Sequence, residues 1–367
     1  MKTLTCEAGT LADAVQRAAR VAPTRGEAFD RACGIQIELV PESNSPVRIK
    51  ATDLQSTYFQ KIQPVSIGDE AATWRLPAQL LTGFVSSLPL NAGSQVTLTE
   101  SSPGLVTLKC GRARAKLRSI VDPLPKIEVY APDGAETAAG LAKRIRQVAF
   151  AAHNDPAAAP LSGVHIDGDS LIACDRHRIA LAPCKVPLDA PVTVPLQRLA
   201  HALRGTDEVS VLVKDDRLVL MPDADTQMTC AIFQAAYPDV RGVVRGLEVE
   251  KLQVTTGREL IQHALNRALV LAKGERYPRA CLTFTSAGDH FGMELVLDGV
   301  GEVKEQIPCV YRAASDVEVW VNPQNLLQAI SNAGSDELHI ESDGDSLHPM
   351  RVSDGSGYET WLMPLRP

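Results

Sequence analysis

An α+β protein of three similar domains in series is what this 367-residue sequence predicts. Three observations carry the expectation. Three strand-like stretches each end in an aspartate, VRIKATD at Asp53, SLIACD at Asp175 and GMELVLD at Asp298, spaced 122 and 123 residues apart. A helical pattern precedes each stretch, and a second helical pattern with a proline near its start follows each. Self-similarity at a fixed period is the mark of a repeat architecture, and alternation of helices with short amphipathic strands places it in the α+β class.

In chain order, the first copy opens with TLADAVQRAARVA near Leu11, whose apolar residues recur at i, i+3, i+4 and i+7, the stripe of a helix with one buried face. GIQIEL and VRIKAT alternate as strands with one face buried. LPAQLLTGFVSSL from Leu76 is the second helix, and proline costs little there because the first helical N–H has no partner anyway. The second copy repeats the order with GLAKRIRQVAFAAH near Leu141, SLIACD, VPLQRLAHALRG from Val194 and SVLVKDDRLVLMP. RELIQHALNRALVLA near Leu260, GMELVLD, NPQNLLQAISNAG from Asn322 and ELHIESD make the third. The proline-rich DPLPKIEVYAPDGAE (Asp122 to Glu136) and RGVVRGLEVEKLQVTTG (Arg241 to Gly257) read as linkers. The boundaries expected are therefore 1–125, 126–248 and 249–367.

Composition narrows the function classes. A hydrophobic content of 45% is globular, and a net charge of -7 argues against a chain that coats nucleic acid over its whole surface, though a local basic stripe survives inside an acidic total. The eight cysteines are scattered without a C-x-x-C pair or ligand spacing, which reads as buried thiols in a reducing compartment and no metal site. With neither a leader-like apolar segment nor a run of about 18 apolar residues, the expected location is the cytoplasm. Phosphate-cradling loops, H-E-x-x-H and G-x-S-x-G are all missing from the sequence, so no cofactor is expected and the prior for an enzyme falls.

One stretch invites a chemical reading. ACDRHRIA (Ala173 to Ala180) gathers an acid, a histidine and two arginines within four positions. Asp175 orienting His177 as a general base is one reading; a polar strand end and a contact site for a partner are the others. Elsewhere the helices lean basic. Lys143, Arg144 and Arg146 share the opening helix of the second copy with no acid, Arg198 and Arg204 lie on its second helix, the first copy adds Arg17, Arg20 and Arg25, and the third adds Arg258 and Arg267. Much of the acid falls in strands and loops, among them Glu38, Asp69, Glu70, Asp207 and Glu208. Cations on helices that shared one surface would meet phosphates through charge without reading bases. Aromatic content of 4% is too low for a single-strand stacking platform, which leaves duplex backbone as the better target.

The three repeats, TDL after the first marked strand, DRHRIA after the second, YPDVRGVV at the end of the second copy and the terminal WLMPLRP together resemble the β sliding clamp family of bacterial DNA polymerase III over the whole chain. The resemblance implies three DNA-clamp domains with helices lining one face and antiparallel sheets the other, closed as a head-to-tail homodimeric ring around double-stranded DNA. It implies a non-catalytic processivity factor whose partners are DNA polymerase, the clamp loader and repair proteins. Carried over by position, the partner-peptide pocket comprises Leu161, Cys174, Arg176, His177, Arg178, Ile179, Pro238, Val243, Met363, Pro364, Leu365 and Arg366, with Arg178 and Arg366 placed to fix the peptide's backbone or terminus. Arg20, Arg25, Lys143, Arg144, Arg146 and Arg198 are the DNA-facing candidates, and Leu117 would meet Val270 and Leu271 across the dimer interface.

The sequence departs from the family pattern at the pocket. Arg176 stands where relatives tend to keep glycine before the histidine, Cys174 replaces a threonine, Gly242 an arginine and Trp361 a small aliphatic residue, and the chain ends in Pro367. These departures imply a reshaped pocket and a partner motif unlike the common one, and leave open a phage-encoded or lineage-specific member. A clamp-fold scaffold without a replicative role and an enzyme using Asp175 and His177 are the alternatives.

Overall fold

The computed structural model describes residues 1–23, 32–89, 91, 93–196, 200, 203–245, 251–285, 288–313, 316–345 and 347–366. The secondary structure repeats three times. The first repeat runs β1 (Thr3–Glu7), α1 (Ala8–Val21), β2 (Ile35–Leu39), β3 (Val47–Thr52), β4 (Ser56–Ile62), β5 (Ser66–Ile67), β6 (Ala72–Leu76), α2 (Ala78–Ser86), β7 (Gln95–Ser102), β8 (Leu105–Cys110) and β9 (Ala113–Arg118). The second holds β10 (Glu136–Ala139), α3 (Leu141–Ala149), β11 (Val164–Ile166), β12 (Ser170–Cys174), β13 (Arg178–Pro183), β14 (Val192–Val194), β15 (Glu208–Lys214), β16 (Arg217–Met221) and β17 (Thr226–Ala231). A short helix α4 (Val240–Val244) leads to the third. This contains β18 (Leu252–Gly257), α5 (Arg258–Leu271), β19 (Ala280–Phe284), β20 (His290–Leu297), β21 (Gly301–Ala313), β22 (Val317–Val321), α6 (Pro323–Ser331), β23 (Glu337–Ser342), β24 (Met350–Ser353) and β25 (Glu359–Leu362). The segment 241–257, read as a linker from its sequence, is thus mostly helix and strand: Asp239 caps α4 by accepting the Gly242 N–H at 2.8 Å, and β18 pairs on both sides with β21 and β23.

By their contacts the residues form two compact units. The first comprises Met1–Ala142, Val186–Asp189 and Val194–Ile232 and contains a five-stranded sheet, β5-β1-β7-β8-β9, and an eight-stranded one, β10-β15-β16-β17-β4-β3-β2-β6. Leu11, Ala14, Val15 and Ala18 of α1 are fully buried, as their spacing predicts, and the small alanines let α1 lie close against α2, β3 and β4. The second unit comprises Lys143–Lys185, Ala190–Thr193 and Phe233–Pro367, with α5 packed on α6 and the sheet β14-β11-β12-β13-β25-β24-β23-β18-β21-β20-β19-β22. Pro323 takes the first turn of α6 and Asn322 caps it, accepting from the N–H groups of Gln324 and Asn325.

The three aspartates end β3, β12 and β20, and two of them show why they recur. Asp53 Oδ1 accepts from the N–H groups of Gln55 and Ser56 at 3.1 and 2.6 Å, and Asp175 Oδ1 from those of His177 and Arg178, both at 3.1 Å. The residue after each aspartate is left-handed, Leu54 at φ 76°, Arg176 at 77° and Gly299 at 74°. The carboxylate thus satisfies the donors of a tight turn between paired strands. The first two turns each launch a strand that reaches across repeats: β4 pairs with β17, placing Thr57 opposite Thr229, and β13 with β25, placing Ile179 opposite Trp361.

Candidate functional site

The joint between β13 and β25 carries an apolar cluster inside the second unit. Ile172, Cys174, Leu181, Val240 and Trp361 are buried in it, and the half-buried Leu161, Ile179, Tyr237 and Val244 pack against its outside. β12 and β13 supply its floor, β25 supplies Trp361 and α4 closes one wall. Of the sequence-derived pocket residues, Leu161, Cys174 and Ile179 meet here. Val243 does not: it is 63% exposed, because α4 turns Val240 and Val244, four apart and so on one face, toward the cluster. Pro238 is exposed and its carbonyl accepts the Val240 N–H that begins the helix.

The charged members of DRHR divide between turn and surface. Arg178 is 7% exposed, donates from Nε to Asp175 Oδ2 at 2.9 Å, bonds Gln328 and lies 5.2 Å over the Phe150 ring. Its guanidinium is thus engaged within the fold by Asp175, Gln328 and Phe150. Asp175 is likewise consumed by two backbone N–H groups and Arg178, and it meets His177 through the backbone rather than the ring. An Asp175–His177 acid–base pair is therefore not formed. Arg176 and His177 are exposed at the apex. Arg176 holds the left-handed conformation that glycine adopts freely, at about 1 kcal/mol for a residue with a Cβ.

The terminal LMPLR passes the cluster and leaves it. Met363 donates its N–H to the His177 carbonyl at 2.8 Å, and Leu365 donates to the carbonyl of Trp320 in β22 at 2.7 Å. Pro364 and Leu365 line a separate cavity of about 420 Å³ with Lys251, Trp320 and Asp343, and the Arg366 carbonyl accepts from Arg279 Nη1 at 3.1 Å. Met363 is thus tied to the DRHR turn, whereas Pro364, Leu365 and Arg366 make their contacts along the third repeat.

Polar groups sit within this apolar surround. Tyr237 donates its hydroxyl to Cys174 Sγ at 3.4 Å and stacks on His165, with ring centroids 4.7 Å apart and planes 5° from parallel. Burial raises the Cys174 thiol and the Tyr237 hydroxyl above their ordinary values and lowers His165. The Trp361 indole N–H is buried without a hydrogen-bond partner among the described residues, while Arg351, bonded to Glu341 and Glu359, lies 5.7 Å over its ring. Sequence reasoning marked Trp361 as a departure but omitted it, with Ile172, Leu181, Val240 and Tyr237, from the pocket.

Of the candidate DNA-facing residues, Arg20 and Lys143 are exposed, and Arg144 and Arg146 are half-buried. Arg144 donates to Gln147, and one Arg146 guanidinium nitrogen is buried without a partner among the described residues. Arg25 and Arg198 lie outside the described residues. Three other helical arginines are paired with acids, Arg17 with Asp13, Arg258 with Asp336 and Arg267 with Glu305, so the helices are less cationic in effect than their composition implies. Leu117 is buried in its own unit at 8% exposure, Val270 is 75% exposed and Leu271 half-buried. Among the described residues no helix is long and apolar enough to cross a membrane, and no group of His, Cys, Asp and Glu is placed to hold a metal ion.

Helix-and-sheet repeats that hand a strand from one copy to the next define the sliding-clamp class of fold. The whole chain superposes on the DNA polymerase III beta subunit of Thermotoga maritima, with a TM-score of 0.78 at 19% identity and full coverage of both chains. It also superposes on the Pseudomonas aeruginosa sliding clamp bound to griselimycin, with a TM-score of 0.75 at 20% identity and full coverage of both. Residues 137–239 match the family model of the DNA polymerase III beta subunit central domain. A beta sliding clamp of Synechocystis sp. is 26% identical over 299 residues, covering 71% of this chain and 73% of that one. These matches give the chain the fold of the bacterial DNA polymerase III beta clamps and make its residues 137–239 similar to the central domain of that family.

Proposed function

We propose that this chain is the subunit of a DNA sliding clamp, a head-to-tail homodimeric ring of six domains that encircles duplex DNA and tethers DNA polymerase, the clamp loader and repair proteins. The observation that carries the reading is the strand handed on from each repeat. β4 is taken up by β17, the last strand of the second repeat, and β13 by β25, the last of the third. The remaining pair is left over: β9, the last strand of the first repeat, is the edge of its sheet, and residues 301–308 of β21 pair with β20 on one side while β18 takes only residues 309–313. Repeating the same joint between two copies uses both open edges, a head-to-tail contact that closes into a ring when its rotation returns to the start after two copies. Charge favours it modestly, since β9 exposes Arg114, Lys116 and Arg118 while the open half of β21 carries Glu302, Lys304 and Glu305, one acid in excess, with Glu302 paired to Lys304 and Glu305 to Arg267 in the same chain. Leu271 abuts Gly301 at the start of that edge, with Val270 exposed beside it, which suits the interface roles assigned to Leu117, Val270 and Leu271.

In this reading the domains are 1–125, 126–248 and 249–367, the protein is cytoplasmic, and it performs no chemistry of its own. Retention by topology needs only weak, delocalised attraction to phosphates, supplied by Arg20, Lys143, Arg144 and Arg146. The cluster around Trp361 is the peptide pocket. Solution mass tests the ring: a species of twice 39.4 kDa is expected, and reversing Arg114, Lys116 and Arg118 to glutamate should return it to one chain. A wild-type protein that stays at one chain mass at micromolar concentration would remove the basis for the ring.

A further inference from the structure

We infer that the Trp361 indole N–H selects the partner peptide by donating to a side-chain oxygen of that peptide. The inference rests on the reading of the cluster as a peptide pocket. Trp361 is 6% exposed, and its Nε1 is buried with no acceptor among the described residues. A buried donor without a partner is costly, and native structures rarely keep one without a use. The neighbours offer it nothing: Ile172, Leu181 and Val240 are aliphatic, the Cys174 sulfur is already approached by the Tyr237 hydroxyl, and Ile179 stands opposite in the strand pair. The side chain is held from behind, because Arg351 covers the ring and is itself fixed by Glu341 and Glu359, so the indole does not turn to find an acceptor elsewhere. The half-buried Leu161, Ile179, Tyr237 and Val244 pack against the cluster that holds the indole, and in this inference an arriving peptide displaces them to reach the N–H.

A ligand that offers only aliphatic side chains would leave the donor orphaned in a still drier site. One that brings an amide or carboxylate oxygen beside its apolar anchor would satisfy it. Discrimination arises chiefly from the penalty for the wrong ligand, as in any site built to hydrogen-bond a polar group.

The test uses the full-length protein and acetylated hexapeptides with two central leucines, in which each remaining position is in turn glutamine or norleucine, with binding measured by calorimetry. At one position glutamine should bind about tenfold tighter than norleucine, and in Trp361→Phe, which keeps an aromatic ring without the donor, the ratio should fall to about one. Equal binding of glutamine and norleucine peptides at every position, or a preference that survives Trp361→Phe, overturns the inference while leaving the pocket. Failure of every peptide, the leucine-only reference included, overturns the pocket and the inference with it. Should Trp361→Phe not fold, the indole N–H resonance of Trp361 in the wild-type protein is followed by nitrogen–proton spectroscopy: it should shift downfield with the preferred glutamine peptide and not with its norleucine counterpart, and an identical response to both overturns the inference.

Discussion

Two joints of this molecule share a backbone plan and differ in what their side chains do. In the first unit β4 meets β17, and the joint closes on itself: Thr57 and Thr229 bond through their hydroxyls at 2.7 Å. Gln227 beside them accepts from the Tyr130 N–H at 2.8 Å and donates to its carbonyl at 2.9 Å. In the second unit the same register puts Ile179 opposite Trp361, and the result is an apolar cluster with an unpaired N–H at its heart. The polar joint spends its central hydroxyls and amide on one another and leaves Thr226 Oγ1 as its buried group without a partner among the described residues. The apolar joint keeps both a hydrophobic floor and an unmet donor, so the capacity to bind resides in a few side chains and not in the repeat itself.

The largest expected effect that separates the joints is at Trp361. Trp361→Ala should destabilise the protein by about 3–5 kcal/mol, the range for truncating a buried tryptophan, and abolish peptide binding, as denaturation and calorimetry would show. Thr229→Ala, at the matched position, should cost only about 1–2 kcal/mol and leave binding unchanged. Peptide binding lost in both variants would erase the distinction. Arg178→Ala comes next. Removal of a buried partner from Asp175 should cost about 3 kcal/mol, whereas a peptide anchor would show the loss mainly as affinity.

A smaller effect sits at the two turns. Arg176→Gly and Leu54→Gly should each change stability by less than about 1 kcal/mol, relief of the left-handed conformation being offset by the unfolded-state freedom of glycine. Only Arg176→Gly should alter peptide affinity. The smallest is pH-dependent. Burial holds the His165 pKa below the ordinary histidine value, with Asp167 pulling it up and Arg241 down. The fold therefore favours neutral imidazole, and its contribution is present above about pH 6.5 and lost as pH falls through the lowered value. Peptide affinity should weaken on acidification from about pH 7.5 to about pH 5.5, less so in His165→Gln.

Much of this was legible in the sequence because the signals were local. The recurring aspartates mark turns whose donors lie two and three residues away, and the stripe of Leu11, Ala14, Val15 and Ala18 needs only helical spacing to be read. What was missed depends on distant partners or on phase. Val244 rather than Val243 faces the cluster because α4 begins at Val240, a start fixed by the Asp239 cap. Arg178 reads as a free cation until Gln328, 150 residues away, is seen to hold it. Ile179 opposite Trp361 is likewise a pairing no spacing reveals, and Pro364 to Arg366 follow a path set by Trp320 and Arg279.

The central claim is that the protein holds DNA by topology, and a loading experiment on one DNA molecule in two forms addresses it most directly. Loaded onto a closed circle, the protein should stay bound through gel filtration at moderate salt, and cutting the circle once should release it within minutes. Retention that is the same before and after the cut would contradict a ring that slides.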